Sequence, residues 1–255
     1  MNQRISILGC GWLGLPLAVE LISKGYKVNG STTSMTKVRE LEAQGITPFI
    51  IDTEDELNNI SNFLCADVLI IAITSKNMSA FKNLIKKIEE SEVSKVLFVS
   101  STSVYANTNA MITEETDTNN SLLATIEKLF MTNSFFEYTI LRFGGLFGYD
   151  RKPGNFVKSG KKMENPDGYI NLIHRDDCIR IIEQLVIKNT WNKVLNACAD
   201  THPTRREFYS KEAKKLGKSE VIFNEKSDNN YKIINSQKLK DLLGYDFIHK
   251  DLMNY

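Results

Sequence analysis

The spacing that points most directly to chemistry lies near the start of the chain. There Arg4-Ile-Ser-Ile-Leu-Gly9-Cys10-Gly11-Trp12-Leu13-Gly14 sets a Gly-x-Gly-x-x-Gly pattern after a short apolar run and ahead of an amphipathic one. Each glycine meets a separate demand of a strand-to-helix turn that receives a diphosphate. Gly9 allows the tight turn, Gly11 lets the backbone approach the phosphates, and Gly14 lets helix and strand pack closely. The anion then sits on N–H groups at the positive end of the helix dipole. The pattern alone is weak, and it gains weight from context: first strand into first helix, with five more strands at suitable intervals.

The end of the second strand separates the two nicotinamide dinucleotides. A site for NAD usually carries a carboxylate about 20 residues past the first glycine, for the ribose 2′-hydroxyl. The chain there reads Val28-Asn-Gly-Ser31-Thr32-Thr33, with no carboxylate. Hydroxyls of Ser31, Thr32 and Thr33 can donate to a 2′-phosphate, with Lys37 or Arg39 nearby, although Ser34 and Met35 stand where an arginine is expected. This favours NADP, with NAD the alternative. The dinucleotide-binding set is therefore Gly9, Cys10, Gly11, Trp12, Leu13, Gly14, Ser31, Thr32 and Thr33, extended along the chain to Asp52, Ile73, Thr74, Ser100 and Phe143.

The elements that position these residues follow from periodicity. Short β-branched runs at Ile5–Leu8, Val28–Ser31, Pro48–Ile51, Val68–Ile73, Val96–Ser100 and Tyr138–Phe143 alternate with amphipathic stretches at Leu13–Lys24, Thr36–Gln44, Asn77–Glu90 and Ser121–Asn133. The segment Asp52–Phe63 reads as irregular or a short helix. This alternation predicts an α/β, Rossmann-type doubly wound parallel sheet. After Phe143, glycines and prolines crowd the chain beside Arg151, Lys152, Lys158, Lys161 and Lys162, which reads as a long loop region. A strand at Tyr169–Ile173, a helix opened by Asp176 or Asp177, a strand near Val194–Ala197 and a helical tail complete the chain. The expected division is a dinucleotide-binding domain of 1–142 plus about 175–199, and a small C-terminal substrate lobe of about 143–174 and 200–255.

Composition narrows the function classes. Thirty-two basic against 31 acidic residues, a net of +1, leave no electrostatic footprint for a nucleic-acid backbone. Cys10, Cys65, Cys178 and Cys198 are too sparse for a disulfide scaffold and lack the close spacing of a zinc motif. They read as thiols of a reducing cytoplasm. The uncharged run Ile5–Val19 holds three glycines and Pro16 and is shorter than a bilayer span, so neither a secretory signal nor a membrane partner is expected.

Several stretches resemble one known family. Ser100-Ser-Thr-Ser-Val-Tyr105 resembles the end of the fifth strand in extended short-chain dehydrogenases/reductases, the NAD(P)-dependent epimerase/dehydratase superfamily. Asn171-Leu-Ile-His-Arg-Asp-Asp177 and Lys238-Leu-Lys-Asp-Leu-Leu-Gly244 are similar to its substrate-lobe and C-terminal motifs. More narrowly, Gly9–Pro16, Ser100–Tyr105 and Ala197–Pro203 resemble the atypical YeeZ-type bacterial branch. The resemblance implies an oxidoreductase, epimerase or dehydratase acting on a small polar or anionic substrate, with Ser101 at the position of the family's catalytic serine or threonine.

It also exposes a departure. The family's Tyr-x-x-x-Lys pair maps onto Asn119 and Leu123, and Ser121–Asn133 has no tyrosine and only Lys128. Tyr105 is the nearest phenol that could substitute as acid/base, and it also reads as a packing residue that closes the strand-end turn. A non-catalytic module that senses NADP(H) is the alternative function. His174, beside Asp176 and Asp177, reads as a loop-orienting residue or a proton shuttle, while His202 and His249 show no partner pattern. Arg142 reads as a structural ion-pair residue. The resemblance further implies a homodimer through the helices that carry Phe81, Leu84, Ile85 and Ile88, and Leu122, Ile126 and Leu129.

Overall fold

The computed structural model describes residues 3–55, 57, 60–158 and 160–255. The apolar runs form β1 (Arg4–Leu8), α1 (Gly14–Ser23), β2 (Lys27–Thr32), α2 (Val38–Ala43), β3 (Thr47–Ile50), α3 (Ile60–Phe63), β4 (Val68–Ile71), α4 (Met78–Glu89) and β5 (Lys95–Ser101). Then come β6 (Met111–Ile112), α5 (Leu122–Met131), β7 (Glu137–Phe143), β8 (Gly145–Phe147), β9 (Leu172–His174), α6 (Arg175–Ile187), β10 (Lys193–Ala197), α7 (Arg205–Lys215), β11 (Ile233–Ile234) and α8 (Gln237–Leu243). Seven strands form a parallel sheet in the order β10-β7-β5-β4-β1-β2-β3, the doubly wound arrangement that the alternation predicts. The uncharged run 5–19 is β1, the turn and the start of α1, and no described helix is long and apolar enough to cross a membrane.

The chain divides into two compact units, one of 1–100, 120–141 and 181–194, the other of 101–119, 142–180 and 195–255. Residues 101–119, 142, about 175–180 and about 195–199, expected with the dinucleotide-binding domain, fall in the second unit.

In the first unit, β4 is buried at every position, as an apolar strand covered on both faces must be. Asn77 caps α4 by accepting from the amides of Ser79 and Ala80, and Ser121 caps α5 by accepting from Ala124. Phe81, Phe98 and Phe130 stack between these helices and the sheet, with centroids 5.0–6.1 Å apart. Phe81, Leu84, Ile85 and Ile88 are all buried within this unit. The segment 52–63 contains α3; its residues 56, 58 and 59 lie outside the described residues.

The second unit is held by Phe147, Ile170, Leu172, Ala199, Phe208, Tyr209 and Leu252. The glycine-rich stretch after Phe143 is not all loop: β8 pairs in parallel with β9, Gly145 opposite Leu172 through Phe147 opposite His174. The expected strand at Tyr169–Ile173 starts later, at Leu172. A second two-stranded ladder, β6 with β11, joins segments 120 residues apart and carried no periodic signal. Helix α7 opens with a full capping box, Thr204 with Glu207.

All four cysteines are free thiols, and only Cys65 is exposed. Burial pushes the Cys10 and Cys198 thiols up to about 12, and raises that of Cys178 as well. Thiol titration at pH 8 should therefore count one fast-reacting group in the native protein and four after unfolding.

Candidate functional site

In the first unit the chain leaves β1 through Gly9, whose φ of +98° is open to glycine and strained for other residues. A Cβ at Gly9 would stand 2.8 Å from Ala72 O and Ile73 Cγ2, and one on Gly14 would collide with the Gly9 carbonyl. Both positions are closed by their own neighbours. Gly11 differs: it is exposed, and an added Cβ would meet nothing within 4 Å. At the start of α1, the N-cap residue Leu13 has no capping side chain, and the first turn carries no acidic residue. A helix entered this way offers its positive end to an external anion.

Ser31 holds this loop in place. Its hydroxyl accepts from the Gly9 amide at 2.9 Å, its carbonyl accepts from the Cys10 amide at 2.8 Å, and the residue is 1% exposed. Thr32 is also buried, its hydroxyl accepting from the Ser34 amide at 3.1 Å. Thr33 and Lys37 are the exposed donors past the end of β2. Asp52 and Thr74 are exposed, Ile73 is half-buried against Gly9, and Ser100 donates to buried Glu127 at 2.5 Å. Gly9, Cys10, Ser31, Ala72 and Ile73 are thus brought together, while the Ser100 hydroxyl serves α5.

In the second unit a cavity of about 300 Å³ is lined by Ser101, Asn171, Arg205, Tyr209, Tyr231 and Lys232, among others. Ser101 accepts from the Ser103 amide at 3.1 Å, which orients its hydroxyl. Asn171 bridges the main chain of Lys232 and Ile234, donating at 2.9 Å and accepting at 2.8 Å. The Lys232 ammonium donates to the Tyr105 carbonyl at 2.6 Å, and burial lowers its pKa below the ordinary lysine range. Arg205 opens α7; its Nε is buried and, among the described residues, meets no hydrogen-bond acceptor.

Two comparisons settle the family. Residues 9–184 match the model of the NAD(P)H-binding family. The chain is also 30% identical to Protein YeeZ of Escherichia coli strain K12 over 267 residues, covering 98% of this chain and 97% of that one. The chain belongs to the NAD(P)H-binding family. Within it, the chain is similar to Protein YeeZ over nearly its whole length. Two solved structures share the fold. A UDP-glucuronic acid 4-epimerase from Bacillus cereus, in complex with UDP-glucuronic acid and NAD, superposes with a TM-score of 0.81 at 18% identity, covering 98% of this chain and 95% of that one. A functionally unknown conserved protein from Silicibacter pomeroyi DSS gives 0.81 at 17% identity, with the same coverage.

In this NAD(P)H-binding chain Asn119, expected where the resemblance places a tyrosine, donates its side-chain amide to the Ser103 carbonyl at 2.9 Å, and Leu123 is buried. Tyr105 does not take over. It is 2% exposed, donates to Asn196 Oδ1 at 3.0 Å, accepts from Arg142 Nη1 at 2.5 Å, and lies under the Arg142 guanidinium at 4.9 Å. Burial raises its pKa, the opposite of what a phenol acting near neutral pH needs. Of its two readings, the packing role fits these surroundings, with Arg142 as its structural partner. Phe143 ends β7 and is 1% exposed. Tyr105→Phe should leave dinucleotide affinity unchanged and lower stability by about 1–3 kcal/mol, measured by urea unfolding, because Asn196 and Arg142 each lose a buried partner.

His174 orients its loop as expected, its Nδ1 accepting from the Asp176 amide at 3.2 Å. Asp177 does more than open α6. It is fully buried, accepting from the Tyr245 hydroxyl and from the amides of Ile248 and His249. Arg205 and Lys232 went unseen in the sequence, because an isolated arginine at a helix start and a lysine among loop residues look like solvated charges.

Proposed function

We propose that this chain is an NADP-dependent oxidoreductase or epimerase/dehydratase-like enzyme acting on a small anionic carbonyl or carbinol compound. The observation that carries the substrate class is that Arg205, whose buried Nε has no acceptor among the described residues, lines a cavity together with Lys232 and Ser101. A buried donor left unsatisfied costs free energy, and a carboxylate or phosphate entering the cavity would satisfy it. The volume suits a compact ligand. The four free thiols fit a reducing compartment such as the cytoplasm.

The residues of the first unit fit a dinucleotide. Gly11 leaves open space over the start of α1, where the diphosphate would rest on main-chain amides. Thr33 and Lys37 are exposed where a 2′-phosphate would lie, and β2 ends without a carboxylate. When bound, the nicotinamide would exchange hydride with the substrate carbon. Ser101 would donate a hydrogen bond to the reacting oxygen, and Arg205 would hold the anionic group. Lys232, its proton loosened by burial, would exchange a proton with that oxygen in place of the missing tyrosine–lysine pair.

Absorbance at 340 nm, followed with matched anionic and neutral carbonyl compounds, tests the enzyme. Oxidation of NADPH confined to anionic members is expected, with NADPH binding tighter than NADH. A tenfold preference for NADH would reverse the cofactor assignment. The places of Asn119 and Leu123 favour one other reading, a redox-sensing module. Micromolar NADPH binding with no turnover across the panel, together with a partner bound only in one redox state, would establish it.

A further inference from the structure

Within the second unit, and outside the cavity lining, the fold brings His249 against His174 and Asp176, which lie more than 70 residues earlier in the chain. His174 ends β9, Asp176 lies in the first turn of α6, and His249 belongs to the C-terminal segment. His174 Nδ1 and Asp176 Oδ2 are 3.3 Å apart, His249 Nε2 and the same Oδ2 are 3.2 Å apart, and the three ligand atoms lie within 4.8 Å of one another. The imidazole rings lie against each other at a tilt of 45°, with centroids 3.8 Å apart. We propose that His174, Asp176 and His249 form a binding site for a divalent transition metal of the zinc class.

Ligand atoms around a four-coordinate zinc, with bonds of about 2.0–2.1 Å, stand about 3.3 Å from one another. The two separations to Asp176 match that edge. Two imidazoles and one carboxylate are also a donor set that such a cation prefers over magnesium or calcium.

The supporting residues act as an outer shell would. Tyr149 donates to Asp176 Oδ1 at 2.7 Å, leaving Oδ2 for the metal. Asp177 fixes His249 by accepting from its amide at 3.0 Å. Gly148 packs directly on the His174 ring at Nε2, which leaves Nδ1 as the coordinating nitrogen. That Nδ1 lone pair would turn from the Asp176 amide to the metal, freeing an amide in the first turn of a helix, where solvent can meet it. Arg175 places a positive charge nearby, over the Tyr149 ring at 3.9 Å, and Asp176 and Asp177 outweigh it. The side chains of His249 and Asp176 are 23% and 33% exposed, so a metal can enter and a fourth position faces solvent. Bound there, it would tie the C-terminal segment to the start of α6.

The test uses the untagged, full-length protein after chelator treatment. Titration with Co2+ is followed by visible d–d absorption, and titration with Zn2+ by calorimetry. One equivalent should bind, with a rise in melting temperature. His249→Gln and Asp176→Asn should each weaken binding at least about tenfold and abolish that rise; two variants guard against one failing to fold. Cys65→Ser, which removes the exposed thiol, should bind as the parent does. Absence of saturable binding at millimolar metal would overturn the site. So would binding that survives both ligand variants or that disappears with Cys65→Ser.

Discussion

Gly11→Leu should lower NADPH affinity by about 100-fold or more while shifting the melting temperature by no more than about 2 °C. The asymmetry follows from the geometry of the turn. A side chain at Gly11 meets no heavy atom within 4 Å at its Cβ, and the backbone there is not in the left-handed region. The folded protein therefore accepts leucine at little cost. The diphosphate does not, because the leucine side chain fills the space over the main-chain amides. Each hydrogen bond to a charged group contributes about 1.5–3 kcal/mol, so losing two costs about two to four orders of magnitude in affinity. Gly14→Ala is the informative contrast. Its Cβ collides with the Gly9 carbonyl, so it should lose binding together with stability. Isothermal titration beside thermal melts separates the two variants, and unchanged affinity in Gly11→Leu would move the dinucleotide to another surface.

The second large effect is expected at Arg205. Arg205→Met keeps the length of the stem and removes the guanidinium. The KM for an anionic substrate should rise about 10- to 100-fold, the equivalent of one charged hydrogen bond, while a neutral isostere is little affected. Stability of the free protein should hold or increase, since Nε has no protein acceptor to lose among the described residues. A purely structural arginine would behave differently, with lower stability and the same loss for both substrates. Paired kinetics and urea unfolding distinguish these outcomes.

What could be read from the residues was what is local in the chain. Gly9, Gly11 and Gly14 act within one turn, and the strands β1 to β5 and β7 lie within two residues of the expected runs, most plainly at β4, where burial on both faces writes itself as unbroken apolar sequence. What escaped depends on distant segments meeting. Ser31 reads as a donor to a cofactor phosphate and in fact clamps the Gly9 amide. Tyr105 reads as a packing residue or a substitute acid/base beside Ser101, and only the fold shows that Arg142 and Asn196 enclose it. His249 has no neighbour within its own segment that hints at His174, and Lys232 joins Ser101 only through the folding of the second unit. No periodicity or spacing encodes such meetings.

The order in which the two units draw on the chain bears on its synthesis. Segments alternate between them five times along the sequence, so any contiguous fragment that holds one unit complete also carries parts of the other. The edge strand β10, at 193–197, emerges from the ribosome long after β1 to β5, and until then β7 presents an open edge of unpaired peptide groups. Exposed edges of this kind recruit other chains. A nascent protein stalled before residue 193 would therefore be the species most prone to aggregate, and chaperone capture during translation should concentrate on that interval.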